Sequence, residues 1–296
     1  MSLTETVTLY SIFKANTSYA LLGIVLTILA ACTTPDRAVS YQKLAAPANK
    51  EAAYAIRAGI NKISNDSFTA YIYTGKVNDT VRYRALKPLK ENAARKFPLV
   101  LILPTSGGIG TDNTSQLNAL VKMWAQPALR SAYPAYVVAP QFSQRSSNYT
   151  MNRQKGILVS IPSVCLANAL DLVDSLCNVW PVDKSRIYVM GFSMGASATI
   201  NVLGLRPDLF TAGIAISGIP DFDYIHPLLN KPIWFVHGNA DDENPFATDS
   251  VMLHTLREMH ATHKRFWEID KLAHEVYPPL YTTNLIPEWL FKQRSN

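Results

Sequence analysis

The chain has 296 residues, 48% hydrophobic and 17% charged, which suits a large folded body with a buried core and excludes a disordered one. Its net charge of +6 comes without any dense Lys/Arg run, so nucleic acid is not expected as a partner. Three cysteines in such a length do not make a disulfide scaffold.

The first segment differs from the rest. Ala20–Ala31 (ALLGIVLTILAA) is apolar or small apart from one Thr, short for a bilayer span but suited to the apolar region of a signal peptide. It ends in Leu29-Ala30-Ala31-Cys32, which resembles the lipobox of bacterial lipoproteins. That resemblance implies a signal peptide over 1–31, cleavage before Cys32, and lipidation of its thiol. The protein is then expected outside the cytoplasm, anchored to a membrane through Cys32, with Thr33 and Thr34 favouring the outer membrane. An ordinary secretory signal is the alternative. Residues 32–58 read as a tether with a short helix, and 59–296 as the main domain.

Two β-rich runs, Phe68–Tyr73 and Val81–Leu86, flank a turn containing Gly75, Asn78 and Asp79 and read as a hairpin. Short apolar runs follow: Pro98–Leu103, Ala135–Ala139, Ile187–Met190, Ala212–Ser217, Pro232–Val236 and Arg265–Ile269. Between them lie the helical candidates Gln116–Arg130, Ile161–Val179, Met194–Leu205 and Ser250–Thr262. Continuous apolar strands alternating with helices imply a mostly parallel sheet, here of eight strands, covered on both faces. Cys165 and Cys177 fall on one helix about 18 Å apart, too far for a disulfide, and are expected as buried free thiols. No His, Cys and carboxylate cluster suggests a metal. Gly107, Gly108 and Gly110 have the wrong spacing for a dinucleotide loop, so no nucleotide cofactor is expected.

The sequence Gly191-Phe192-Ser193-Met194-Gly195 carries the chemistry. It follows a strand and opens a helix of small residues, the strand–turn–helix context that exposes a nucleophilic serine on a strained elbow. A serine needs a base, and the base needs an orienting acid. Of six histidines, only His274 lies in a loop after the last strand, where this architecture delivers its base. The acid belongs after the penultimate strand, in His237-Gly238-Asn239-Ala240-Asp241-Asp242-Glu243-Asn244-Pro245. That turn resembles the HG-x-x-D-x-x-[VP]-P turn of carboxylesterases, which points to Asp241; the adjacent Asp242 stays open, and His237 reads as a structural turn residue. The Met194 amide is one expected oxyanion donor, and the loop after Pro98–Leu103 supplies the other.

Four segments, Pro98–Asn113, Val138–Gln141, Pro181–Gly195 and Arg206–Phe210, with the closing Pro287–Phe291, run in the order seen in polyhydroxybutyrate-depolymerase-like and feruloyl-esterase-like carboxylesterases. The resemblance spans about 65–296 and implies an α/β-hydrolase fold that cleaves carboxylic esters (short acyl, feruloyl, acetyl-polysaccharide or polyester) without a cofactor. It puts the second oxyanion donor at Ser106, with Gly107 as the alternative. Pro104-Thr105 stands where the family carries His-Gly, which alters how closely this loop approaches substrate. Only 14 residues separate Ser217 from Pro232, too few for a large cap, so an open cleft is expected. Gln141, Phe142, Tyr149, Tyr224 and Tyr277, on loops at the carboxyl edge, are the candidates to meet substrate. The competing readings are a binding module on an impaired hydrolase fold, and a serine peptidase. Oligomeric state is not encoded legibly.

Overall fold

The computed structural model describes residues 38–75, 80–91 and 95–295; the signal segment and Cys32 lie outside them. Each continuous apolar run becomes a strand of one sheet. In chain order the strands of that sheet are β1 (Val39–Ala45), β2 (Thr69–Thr74), β3 (Thr80–Leu86), β4 (Phe97–Leu103), β5 (Tyr136–Gln141), β8 (Val182–Phe192), β9 (Ala212–Ile216), β10 (Ile233–Gly238) and β11 (Lys264–Asp270). Between β5 and β8 lies a separate hairpin, β6 (Ser147–Asn152) and β7 (Ile157–Pro162). The sheet order is β1-β11-β10-β9-β8-β4-β5-β3-β2, parallel except where β3 meets β2 and β5.

The sheet has nine strands, not eight. Residues 39–45, expected within the tether, pair in parallel with all seven residues of β11. VSYQKLA lacks a continuous apolar run because it is an edge strand. Its side chains are polar partners for β11: Gln42 Oε1 accepts from Trp267 Nε1 at 2.6 Å, and Lys43 lies 3.0 Å from Glu268.

Five longer helices cover the faces: α1 (Lys50–Asn61), α2 (Cys165–Val179), α3 (Met194–Leu205), α4 (Phe246–Glu258) and α5 (Leu285–Phe291). The two-residue alternation of the strands splits the core into two layers. Leu99, Leu101 and Leu103 face α2, α3 and α4, while Val100, Ile102, Tyr188 and Met190 face α5 and the turn around Trp124. The helix expected over Gln116–Arg130 is broken in two. Asn118 caps a new start at Ala119, and Pro127, which has no N–H to donate, opens the next short helix. The first residues expected in the helix Ile161–Val179 belong instead to β7, and that helix starts at Cys165. Cys165 and Cys177 are both buried and neither is in a disulfide.

β4 is the point where successive strands are added in opposite directions, β5 on one side and β8 on the other. Crevices form outside the carboxyl ends of strands at such a point. The loop after β4 and the elbow after β8 are therefore neighbours.

Candidate active site

Ser193 follows β8 and caps α3 with φ 58° and ψ −125°, a conformation that holds a non-glycine residue under strain. The flanking glycines are needed by proximity: a Cβ on Gly191 would meet the Gly195 carbonyl at 2.3 Å, and one on Gly195 would meet the Leu103 oxygen at 2.3 Å. The Ser193 amide is tied to the Ile216 carbonyl at 2.9 Å, which fixes the elbow to β9.

The three residues singled out for nucleophilic chemistry meet at this edge. His274 Nε2 lies 2.8 Å from Ser193 Oγ, and His274 Nδ1 lies 2.8 Å from Asp241 Oδ2. Phe192 packs its ring beside the imidazole, centroids 4.9 Å apart. Asp241 is buried and also accepts from the Asn244 and Glu243 amides at 2.8 and 3.1 Å. Asp242 is exposed, so of the two adjacent acids it is Asp241 whose carboxylate meets the imidazole.

A second histidine lies behind Asp241. His237, fully buried, places Nδ1 2.8 Å from Asp249 Oδ2 and Nε2 2.8 Å from the Asn244 carbonyl and 3.2 Å from Asp241. Both ring nitrogens face acceptors, so both carry protons. Burial alone would push this ring down, but the hydrogen bonds to Asp241 and Asp249 outweigh it and hold the pKa at about 10. Burial likewise disfavours an ionised Asp241, and the hydrogen bonds from His237 and His274 reverse that, keeping its carboxyl well below the usual range. The sequence alone points to His237 as a structural turn residue, and the structure adds its pairing with Asp241 and Asp249. The available signal was a histidine at the end of an otherwise apolar strand, which must find partners when buried.

Met194 and Ser106 line the same cleft as Ser193, a space of about 460 Å³ shared with Arg145, Asn148 and Tyr149 of the hairpin region and with Glu243 and Asn244. Neither the Met194 nor the Ser106 amide has a hydrogen-bond partner among the described residues. Thr105, at the departure from the family pattern, has φ −71° and ψ 172°, extended backbone that any residue adopts.

The expected substrate-binding set is mostly turned inward. Gln141 is buried and spans the loop after β4: its Oε1 accepts from the Asn113 amide, and its Nε2 donates to Asp112 Oδ1 at 2.6 Å. Phe142 joins the core, Tyr277 packs edge-on against Trp267, and Tyr224 sits against Gly204 of α3. Gln141 and Phe142 are therefore buried beneath the loops, because β5 ends facing the protein, while Tyr277 is half-buried. Tyr149 does reach the cleft, its hydroxyl 3.1 Å from Ser197 Oγ. The cleft wall is the β6–β7 hairpin, packed on α3 by the bond from Ser147 Oγ to Asn201. The link between β9 and β10 holds only a short helical turn, Ile225–Leu228. Among the described residues no group of His, Cys, Asp and Glu is placed to hold a metal, and no helix is long and apolar enough to cross a membrane.

No protein-family model matches the chain. A stretch of 50 residues is 44% identical to acetylxylan esterase A of Emericella nidulans, covering 17% of this chain and 16% of that protein. The structure is similar to that of a thermostable esterase, TM-score 0.70 and 30% identity, over 78% of this chain and 64% of the esterase. It is also similar to an acylaminoacyl peptidase of Pyrococcus horikoshii (TM-score 0.51, 18% identity, 80% of this chain and 43% of that one). A puromycin-hydrolysing peptidase of Mycobacterium tuberculosis gives TM-score 0.57 at 13% identity, over 77% of this chain and 40% of that one. The chain thus spans less than two thirds of each of these proteins. Strand order, elbow and these likenesses together give the chain the α/β-hydrolase fold.

Proposed function

We propose that the protein is a serine carboxylic-ester hydrolase that acts outside the cytoplasm, held to a membrane by a lipid on Cys32. The observation that carries the catalytic part is the continuous chain of hydrogen bonds from Ser193 through His274 to Asp241, 2.8 Å at each link, beside two unpaired amides. Ser193 Oγ attacks the ester carbonyl as His274 Nε2 takes its proton. The Met194 and Ser106 N–H groups receive the oxyanion, each such donor being worth about 10²–10³ in rate. The tetrahedral intermediate collapses, the alcohol leaves with the proton from His274, and water releases the acyl group by the same route. Asp241 fixes the tautomer that leaves Nε2 free to accept. The likeness to a thermostable esterase and to a stretch of an acetylxylan esterase supports an ester as the substrate.

Hydrolysis of 4-nitrophenyl butyrate by the parent and by Ser193→Ala tests the reading. Loss of turnover by at least about 10⁴-fold in a folded variant is the expected result. Turnover that survives the substitution rules the assignment out.

A further inference from the structure

Beside the cleft that holds Ser193, His274 borders a second recess of about 280 Å³. Its walls come from three places: Arg57 and Asn61 of α1, Thr105 and Asn118 of the loop after β4, and Tyr281 beyond His274. Phe192 and Leu120 add apolar surface.

Glu275 also lines the recess, and three of its other polar residues, Arg57, Asn118 and Tyr281, are left with groups to donate. Asn118 spends its Oδ1 on the Leu120 and Val121 amides, at 3.0 and 3.4 Å, which leaves its NH₂ to donate. Tyr281 is 2% exposed and its buried hydroxyl has no hydrogen-bond partner among the described residues. Buried hydroxyls are ordinarily paired, so this one marks a site short of its acceptor. Glu275, the acid of this wall, is engaged by Lys50 at 3.2 Å and by the Tyr54 hydroxyl at 2.7 Å. Arg57 rests over the Tyr54 ring, 5.2 Å from its centroid, and pairs with no carboxylate among the described residues. Arg57, Asn118 and Tyr281 therefore border one recess next to the imidazole.

We propose that this recess binds a carboxylate carried on one arm of the ester, so that the favoured substrates are acidic esters with a free carboxylate a few carbons from the scissile bond. The inference rests on the esterase reading above. Arg57 pairs with the carboxylate, the Tyr281 hydroxyl and Asn118 amide donate to it, and the intervening methylenes lie on Phe192 and Leu120. A neutral hydroxyl in the same place would leave the guanidinium unanswered. A phosphate dianion calls for more positive charge than one arginine with two neutral donors.

The test compares matched pairs at low ionic strength. 4-Nitrophenyl glutarate against its methyl ester places the carboxylate on the acyl arm; O-butyryl-4-hydroxybutanoate against its amide places it on the alcohol arm. For one of the two arms the parent is expected to favour the acidic member in kcat/KM by about tenfold or more, mainly through KM, with the preference shrinking as salt is added. Arg57→Gln and Tyr281→Phe each lower that ratio, and Arg57→Lys keeps part of it. No preference on either arm, or a preference that Arg57→Gln leaves untouched, overturns the proposal. Should the parent cleave neither class, the esterase reading falls, and calorimetric titration with glutarate decides the recess by itself. Binding that Arg57→Gln removes sustains it; no binding overturns it.

Discussion

Replacing His237 with Gln strips the one cation from a buried cluster that contains the acid of the triad. In the folded protein this ring holds its proton up to about pH 10 against an ordinary value of 6.5, so the unfolded chain releases it first as pH rises. The stabilisation is complete below the unfolded value and fades as pH climbs through the folded one. At about 1.4 kcal/mol per pH unit over that interval, the group contributes about 4 kcal/mol at pH 7 and about 1 kcal/mol at pH 9. Removing one partner from a buried charged network costs about 3–5 kcal/mol by a separate line of evidence, and the two figures agree. The assay is thermal unfolding of parent and variant across this range, since their difference cancels the other titrating groups to first order. At about 2–4 °C per kcal/mol for a domain of this size, the variant melts about 8–16 °C lower at pH 7 and about 2–4 °C lower at pH 9. A gap of equal size at both pH values would refute the charged state of His237.

Two substitutions probe the neighbouring parts. Asp241→Asn keeps the shape of the triad but offers His274 the wrong partner for its Nδ1 proton, and kcat, read below the variant's melting transition, is expected to fall by about 10⁴. Because Asp241 also faces the buried His237 ring, the melting temperature falls as well; an activity loss under tenfold in the folded variant contradicts its role. Gln141→Ala unties Asp112 and Asn113 from β5, so the loop bearing Ser106 drifts. Steady-state kinetics are expected to show kcat down by about 10² with the fold intact, and an unchanged kcat contradicts the bracing assigned to Gln141.

The parallel sheet was legible because a strand covered on both faces must be apolar throughout, as Pro98–Leu103 and Pro232–Val236 are. The elbow was legible because close packing at Gly191 and Gly195 leaves room for nothing larger. Chain order then narrowed the base to His274. What stayed hidden depends on partners distant in sequence. β1 owes its order to β11, and its polar side chains resemble those of a tether until Glu268 and Trp267 stand opposite them. The β6–β7 hairpin, SNYTMN and ILVSIP, is held by α3 through Ser147 and Tyr149, which no periodicity announces. Side-chain direction at the cleft was hidden for the same reason: Gln141 and Phe142 end a strand whose last residues still face the interior. Asp249, a turn into α4, gave no sign that it would answer His237.

Mass spectrometry of the folded protein after exposure to a fluorophosphonate tests the central claim most directly, because only a serine whose proton is drawn off by a neighbouring base reacts quickly. The account predicts one adduct, on the peptide carrying Ser193, absent from His274→Ala and from heat-unfolded protein. An unlabelled native protein, or an adduct on another serine with Ser193 left untouched, would contradict it.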